Sequence, residues 1–301
     1  MENVSKTYTY ILEKSGETKN VRVTKLFRTI CGQDGEVFGD FLFRFDAVGT
    51  CSVYDKTSGE EISSFHIDKY DLLRIHSNSV SFGNEYYDGN DEFPLLYTNV
   101  YNSYQTSEDR LEGICGVYRI TRNGSVFASS LVQVIKIGFT ENVLLWKSYP
   151  GKTDVRPYGN FVVDKDGSTL WAFTMRDKEK TTRYFSFVLP KLKDGVYCEK
   201  YGCNVVTLEE TDVKSHFDAP YSNFLQGACF ADGLLYSTEG FTDSVSAPAK
   251  MQIIDVKNKE VYAVLDFYSY GMRTEPEFIS VCDGRTYYAD AAGNVFLLEF
   301  M

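Results

Sequence analysis

The chain has 301 residues, 43% of them hydrophobic and 24% charged, with a formal net charge of −11. This composition supplies a core and excludes a disordered chain. The acidic balance excludes holding nucleic acid by its phosphates or docking on anionic membranes. No run approaches the roughly 18 apolar residues of a spanning helix. The start, MENVSKTYTYILEKSGETKN, has no basic region followed by an apolar run, so the expected location is cytoplasmic, with a secreted form shorn of its leader as the alternative. Seven cysteines stand mostly apart, and only Cys198 and Cys203 are close. With three histidines in the chain, neither a structural zinc site nor any other metal is expected. The thiols are expected to be buried and reduced, with a Cys198 to Cys203 link as the alternative.

Taken in chain order, residues 7–14 (TYTYILEK) alternate as a strand does. Residues 25–67 read as four short strands joined by turns, with Asp34-Gly35 as the first turn. KYDLLRI, at 69–75, allows a single helical turn. Residues 76–139 give four more strands with an insertion between the second and third. Residues 156–213 give another four, ending in NVVTLEETDV. Residues 223–267 repeat the design of 25–67, with Cys229 opposite Cys31, Asp232-Gly233 opposite Asp34-Gly35, and QIIDVKNKEVYAVL opposite SVYDKTSGEEISSF. The last stretch, 275–300, supplies three strands, and a strand from 7–14 would complete it. Aromatics at 15% of the chain suit pleated, half-buried surfaces.

A lone meander leaves both faces apolar and must stack on neighbours, as propeller blades do. The expected fold is therefore an all-β, five-bladed β-propeller over residues 1–301, one domain, closed by the N-terminal strand. At about 60 residues per unit the repeats are longer than the roughly 40 to 50 of short propeller repeats. A six-bladed propeller and a β-sandwich are the alternatives.

In its repeated four-strand pattern the chain resembles the five-bladed propellers, which include arabinanase- and invertase-type furanosidases and tachylectin-type lectins. The resemblance is architectural and spans the whole chain. It implies a ligand at one end of the channel, ringed by residues at the starts of the innermost strands. The repeat alignment places Arg28, His76 with Ser77 and Asn78, Arg156 with Tyr158, Gln226, and Glu275 with Glu277 there. The bland alternative is a hydrated channel whose polar groups bond one another. Furanosidases of this fold carry an acid on the first inner strand, and VRVTKLFRTI offers none.

Glycoside hydrolysis generally uses two carboxyls. Glu277 and Asp218 are the candidate acid and base, and His76 is a third catalytic candidate. Glu275 and Glu277, two apart on one strand, would form a like-charge pair with one raised pKa. Arg28, Asn78, Arg156, Tyr158, Gln226 and Glu275 are the candidate ligand-binding residues. Asp88, Asn90 and Asp91 have some likeness to a calcium loop, with a solvated insertion as the plainer reading. No G-x-S-x-G and no glycine-rich phosphate loop occurs, so no cofactor is expected. The functional expectation is a propeller that binds a small polar ligand, a carbohydrate above all, and processes glycosides if it is an enzyme. A non-enzymatic protein-interaction scaffold is the alternative.

Overall fold

The computed structural model describes residues 5–100, 113–139, 160–176, 179–221 and 223–301. Two strands open the chain, β1 (Ser5–Leu12) and β2 (Thr18–Arg28). A meander follows, β3 (Gly35–Phe38), β4 (Phe41–Phe45), β5 (Thr50–Asp55) and β6 (Glu61–His66), and then the one-turn helix α1 (Tyr70–Leu73). Next come β7 (Ile75–Phe82), β8 (Leu96–Val100), β9 (Ile114–Asn123) and β10 (Val126–Ile137). After them lie β11 (Asn160–Asp164), β12 (Thr169–Arg176), β13 (Thr181–Val188), the hairpin β14 (Val196–Cys198) and β15 (Cys203–Leu208), and β16 (Ser215–Pro220). The chain ends with β17 (Leu225–Ala231), β18 (Leu234–Glu239), β19 (Lys250–Asp255), β20 (Glu260–Leu265), β21 (Pro276–Cys282), β22 (Arg285–Asp290) and β23 (Asn294–Phe300).

Among the described residues these strands form sheets of nine, six, four and four strands. The arrangement is all-β and propeller-like. Strands β3, β7, β11, β17 and β21 head the meanders and pack side by side, each against the next, and β21 returns to β3. Burial follows from that layout. β21 begins with an unbroken buried run, whereas the outer strands β6 and β16 alternate or face water. An inner strand has a neighbour on both faces and reads as a continuous run, so it lacks the period of two that marks a half-exposed strand. Apolar layers fill the gaps between sheets. Phe43 meets Phe82, Phe93 and Phe127 edge to face between the first two meanders, a geometry that aromatic quadrupoles favour.

Three expectations change. The strand beside β23 is β2, residue Val23 facing Leu298, and not 7–14. β1 lies one place further out, paired with β2 along its length and with β20 at Ile11 and Leu12. The N-terminal segment therefore contributes two strands and welds two meanders into the nine-stranded sheet. Second, Asp232-Gly233 forms the expected tight turn, both residues having positive φ (51° and 78°), but Asp34-Gly35 does not. Gly35 opens β3, where a Cβ would fall 2.0 Å from the Phe43 carbonyl oxygen; the dipeptide serves close approach there, and the turn comes later, at Gly39 and Asp40. Third, NVVTL leaves its own meander. As β15 it pairs in parallel with β10, Gln133 facing Asn204, and β16 takes the fourth place beside β13.

Candidate functional site

The inner strands bring a group of polar side chains to one end of the central axis. Gln226, at the start of β17, is the hub. Its Nε2 donates to Glu275 Oε1 and to the Gly240 carbonyl (3.4 Å), and its Oε1 accepts from Asn78 Nδ2 (3.4 Å). Its carbonyl accepts from Asn160 Nδ2. Glu277, two residues beyond Glu275, accepts from Gln33 Nε2 at 3.4 Å and is 3% exposed. Segments from four meanders and the loop before β3 therefore meet at one end of the axis.

Beneath it lie the groups that hold the inner strands together. Asp34, fully buried, accepts from Val80 N (2.9 Å) and Ile279 N (3.4 Å), joining β7 to β21. Ser79 Oγ accepts from Phe161 N (2.9 Å), and Ser280 Oγ accepts from Val37 N (3.2 Å) and donates to Glu36. Arg44 is also fully buried. It donates to the Cys31 carbonyl (3.1 Å) and lies 4.8 Å over the Phe278 ring.

The electrostatics follow from burial. Glu277 is held well above the usual carboxylate range by burial first and by the charge of Glu275 second. Glu275 is raised by burial against the opposing hydrogen bond from Gln226. Asp34 is raised well above its ordinary value by burial, in spite of its backbone donors and Arg44. Burial therefore shifts all three carboxyls toward the protonated form.

Three buried oxygens of this set have no hydrogen-bond partner in the protein: Gln33 Oε1, Asn78 Oδ1 and Glu277 Oε2. Backbone strain sits beside them. Outside the hairpin turns, the bends flanking α1 and the loop residue Asp243, the non-glycine residues with positive φ are Ser77 (59°), next to Asn78, and Phe224 (60°), two before Gln226. A bulky residue such as Phe in that conformation is a steric outlier.

The structure thus brings Asn78, Gln226, Glu275 and Glu277 together. His76 lies half-buried on the same strand as Asn78, and burial pulls its pKa down. Arg28 does not join them: it is exposed on β2, the fourth strand out from the axis, and donates to the Ala292 carbonyl (2.9 Å). Asp218 lies on β16 at the sheet edge, held by two bonds from Arg183 (2.7 and 2.8 Å). That pairing lowers its pKa, which suits a structural ion pair and not a proton donor at the axis. Arg156 and Tyr158 lie outside the described residues. In the insertion, Asp91 is gripped by Arg119 (2.6 Å) and Asp88 accepts from Asn90, which makes a structural turn. Among the described residues no three His, Cys, Asp or Glu side chains are grouped as metal ligands, and no helix is long and apolar enough to cross a membrane.

Sequence reasoning missed Asp34, Gln33, Asn160 and Arg44. The signal was present for Asp34. Setting Gly35 opposite Gly227, six residues off the chosen alignment, puts Asp34 opposite Gln226 and supplies the acid that VRVTKLFRTI lacked.

No family model matches the sequence, and no curated protein sequence matches it. Solved structures do. The chain is similar to the glutaminyl cyclase of Myxococcus xanthus, with a TM-score of 0.51 at 10% identity, covering 99% of this chain and 97% of that one. It is more distantly similar to Sqt1 of Saccharomyces cerevisiae (TM-score 0.38, 9% identity, 97% and 68% covered). BamB of Moraxella catarrhalis gives a TM-score of 0.32 at 9% identity, with 98% and 79% covered. At 10% identity the likeness to the glutaminyl cyclase shows the fold, an all-β propeller-like architecture, and not an activity.

Proposed function

We propose that this chain is a five-bladed β-propeller that binds a small polar ligand rich in hydrogen-bond donors at the end of its axis, through Gln33, Asn78, Gln226, Glu275 and Glu277. The blade count treats each inner strand as the head of one blade and divides the nine-stranded sheet where β1 meets β20. The observation that carries the ligand reading is the trio of buried oxygens without a hydrogen-bond partner, Gln33 Oε1, Asn78 Oδ1 and Glu277 Oε2. Leaving one such oxygen unpaired costs on the order of 1 to 3 kcal/mol. Three around one mouth are better explained by a ligand that supplies the donors than by packing alone.

A sugar fits that description only as one donor-rich ligand among several, and nothing in the likenesses points to carbohydrate. Hydrolysis of a glycoside is the weaker version. Its two carboxyls must flank the scissile bond, whereas Glu275 and Glu277 stand two residues apart at the start of β21 and Asp218 is tied to Arg183. The cyclase likeness adds a glutaminyl substrate to the compounds worth trying.

Calorimetry and thermal shift against small amines, amides, glutaminyl substrates and sugars test the reading. At least one donor-bearing compound is expected to bind the wild type, with affinity reduced 10-fold or more in Glu277→Gln and Gln226→Ala and unchanged in Arg28→Ala, by the cost of an unmade bond to a buried group. Binding of a cation is expected to tighten as pH rises, because Glu277 must give up its proton to pair with it. A panel without a single binder, or equal affinity in Glu277→Gln, would overturn the reading.

A further inference from the structure

The rim of the mouth carries an apolar feature that hydrogen bonding does not use. Phe224 and Phe241 stand with ring centroids 5.6 Å apart, 43% and 48% exposed. They belong to the same corner as the polar set. Gly240 N donates to the Phe224 carbonyl (3.0 Å), and Gly240 itself accepts from Gln226 Nε2. Glu275 N donates to Thr242 Oγ1 (3.0 Å), so the loop that presents Phe241 also braces Glu275. Along the chain Phe224 is two residues from Gln226, about 7 Å in extended backbone. A side chain of this size at positive φ would be replaced by glycine or asparagine at little structural cost. Phe224 holds that conformation half in water, two residues from Gln226, and backbone strain of this kind clusters at ligand sites.

The acid groups of the mouth narrow the ligand further. Glu275 and Glu277 line it, with Asp34 and Glu36 beneath, and Arg44 is buried below without an ion pair to any of them among the described residues. A cation placed there would favour ionisation of Glu277 and supply donors to Oε2 and to Asn78 Oδ1 together.

Building on the ligand reading above, we propose that the mouth takes a primary amine attached to a flat or bulky apolar body: the ammonium enters the set of Asn78, Glu275 and Glu277, and the body lies on Phe224 and Phe241. The pairing of an acidic hole with an aromatic lip about one short spacer away is the whole basis of the assignment.

The test compares phenethylamine with propylamine by calorimetry, at matched ionic strength, on the wild type, Phe224→Gly and Phe241→Ala. Phenethylamine is expected to bind the wild type roughly 10-fold or more tightly than propylamine, the gain from covering one ring. Either variant is expected to lose most of that preference while keeping propylamine binding. Phe224→Gly is also expected to melt at the same or a higher temperature, since glycine accepts the positive φ; a merely structural Phe224 would give a lower one. Equal affinity for both amines, or a preference unchanged in both variants, overturns this inference alone. Failure of both amines to bind the wild type, with another donor-bearing compound binding, also overturns the amine assignment while leaving the mouth; failure of every compound removes both.

Discussion

Glu36 shows how a single half-buried acid ties this fold to pH. Its Oε1 accepts from Val37 N (3.2 Å) and from Ser280 Oγ, and burial lifts its pKa from the ordinary 4.5 to about 7. The folded state therefore keeps the proton longer than the unfolded chain does. That contribution to stability is fully present below about pH 4.5 and is lost as pH rises through about 7. In urea denaturation the wild type is expected to lose on the order of 1 to 3 kcal/mol relative to Glu36→Gln across that window. Parallel stability curves for the two proteins would show that the carboxyl is not held protonated. The same sign applies to Asp34 and Glu277, both raised well above the ordinary range. Asp218 has the opposite sign: paired with Arg183, it adds stability above its unfolded pKa and loses it in acid. Glu275, Glu277, Gln226 and Asn78 were legible because each is a polar residue at the head of an apolar run. Asp34 was not, since an Asp-Gly dipeptide is also the commonest hairpin signal, and only the backbone of Phe43 against Gly35 decides between the two.

At the scale of elements, the site depends on how closely the inner strands approach. A Cβ on Gly227 of β17 would fall 2.5 Å from the Glu277 carbonyl oxygen and 2.9 Å from Asp34 Oδ1. Gly227→Ala must therefore push β21 away from β17 and disturb Asp34 and Glu277 together. The expected cost is about 1 to 3 kcal/mol, with a lowered melting temperature and weakened ligand binding in the same variant. An unchanged melting temperature would mean that the two strands are not packed as described. The outer strands carry less. β14 and β15 extend the six-stranded sheet beyond β10, with Cys198 and Cys203 facing each other as free thiols. β15 was misassigned because its sequence, CNVVTL, is a competent strand in either sheet, and nothing local says which edge it joins. Pairing partners are chosen by which edge is open and within reach.

For the molecule as a whole, β1 and β2 do the joining. β2 buries Val21 and Val23 and completes the last meander, and β1 crosses from it to β20. Removing residues 1–16 strips β1 and exposes the edges of β2 and β20 at once. The melting temperature of the entire protein is expected to fall by several degrees, as a loss of about 1 to 3 kcal/mol gives in a chain of this size. A truncated protein that melts like the full chain would reject this joining role.

The sequence by itself determined the all-β class, the four-strand rhythm, the turn at Asp232-Gly233, and the need for an N-terminal strand to complete the final unit. These are local properties: side-chain period, β-branched and aromatic content, and residues that accept positive φ. Tertiary structure alone decided that β2 and not β1 sits beside β23, that β15 leaves its own meander, and that Arg28 and Asp218 stay on the periphery. Each of those outcomes depends on which strand edge meets which and on what a backbone must clear at close range. Such choices are set by contacts between residues far apart in the chain, and no local pattern records them.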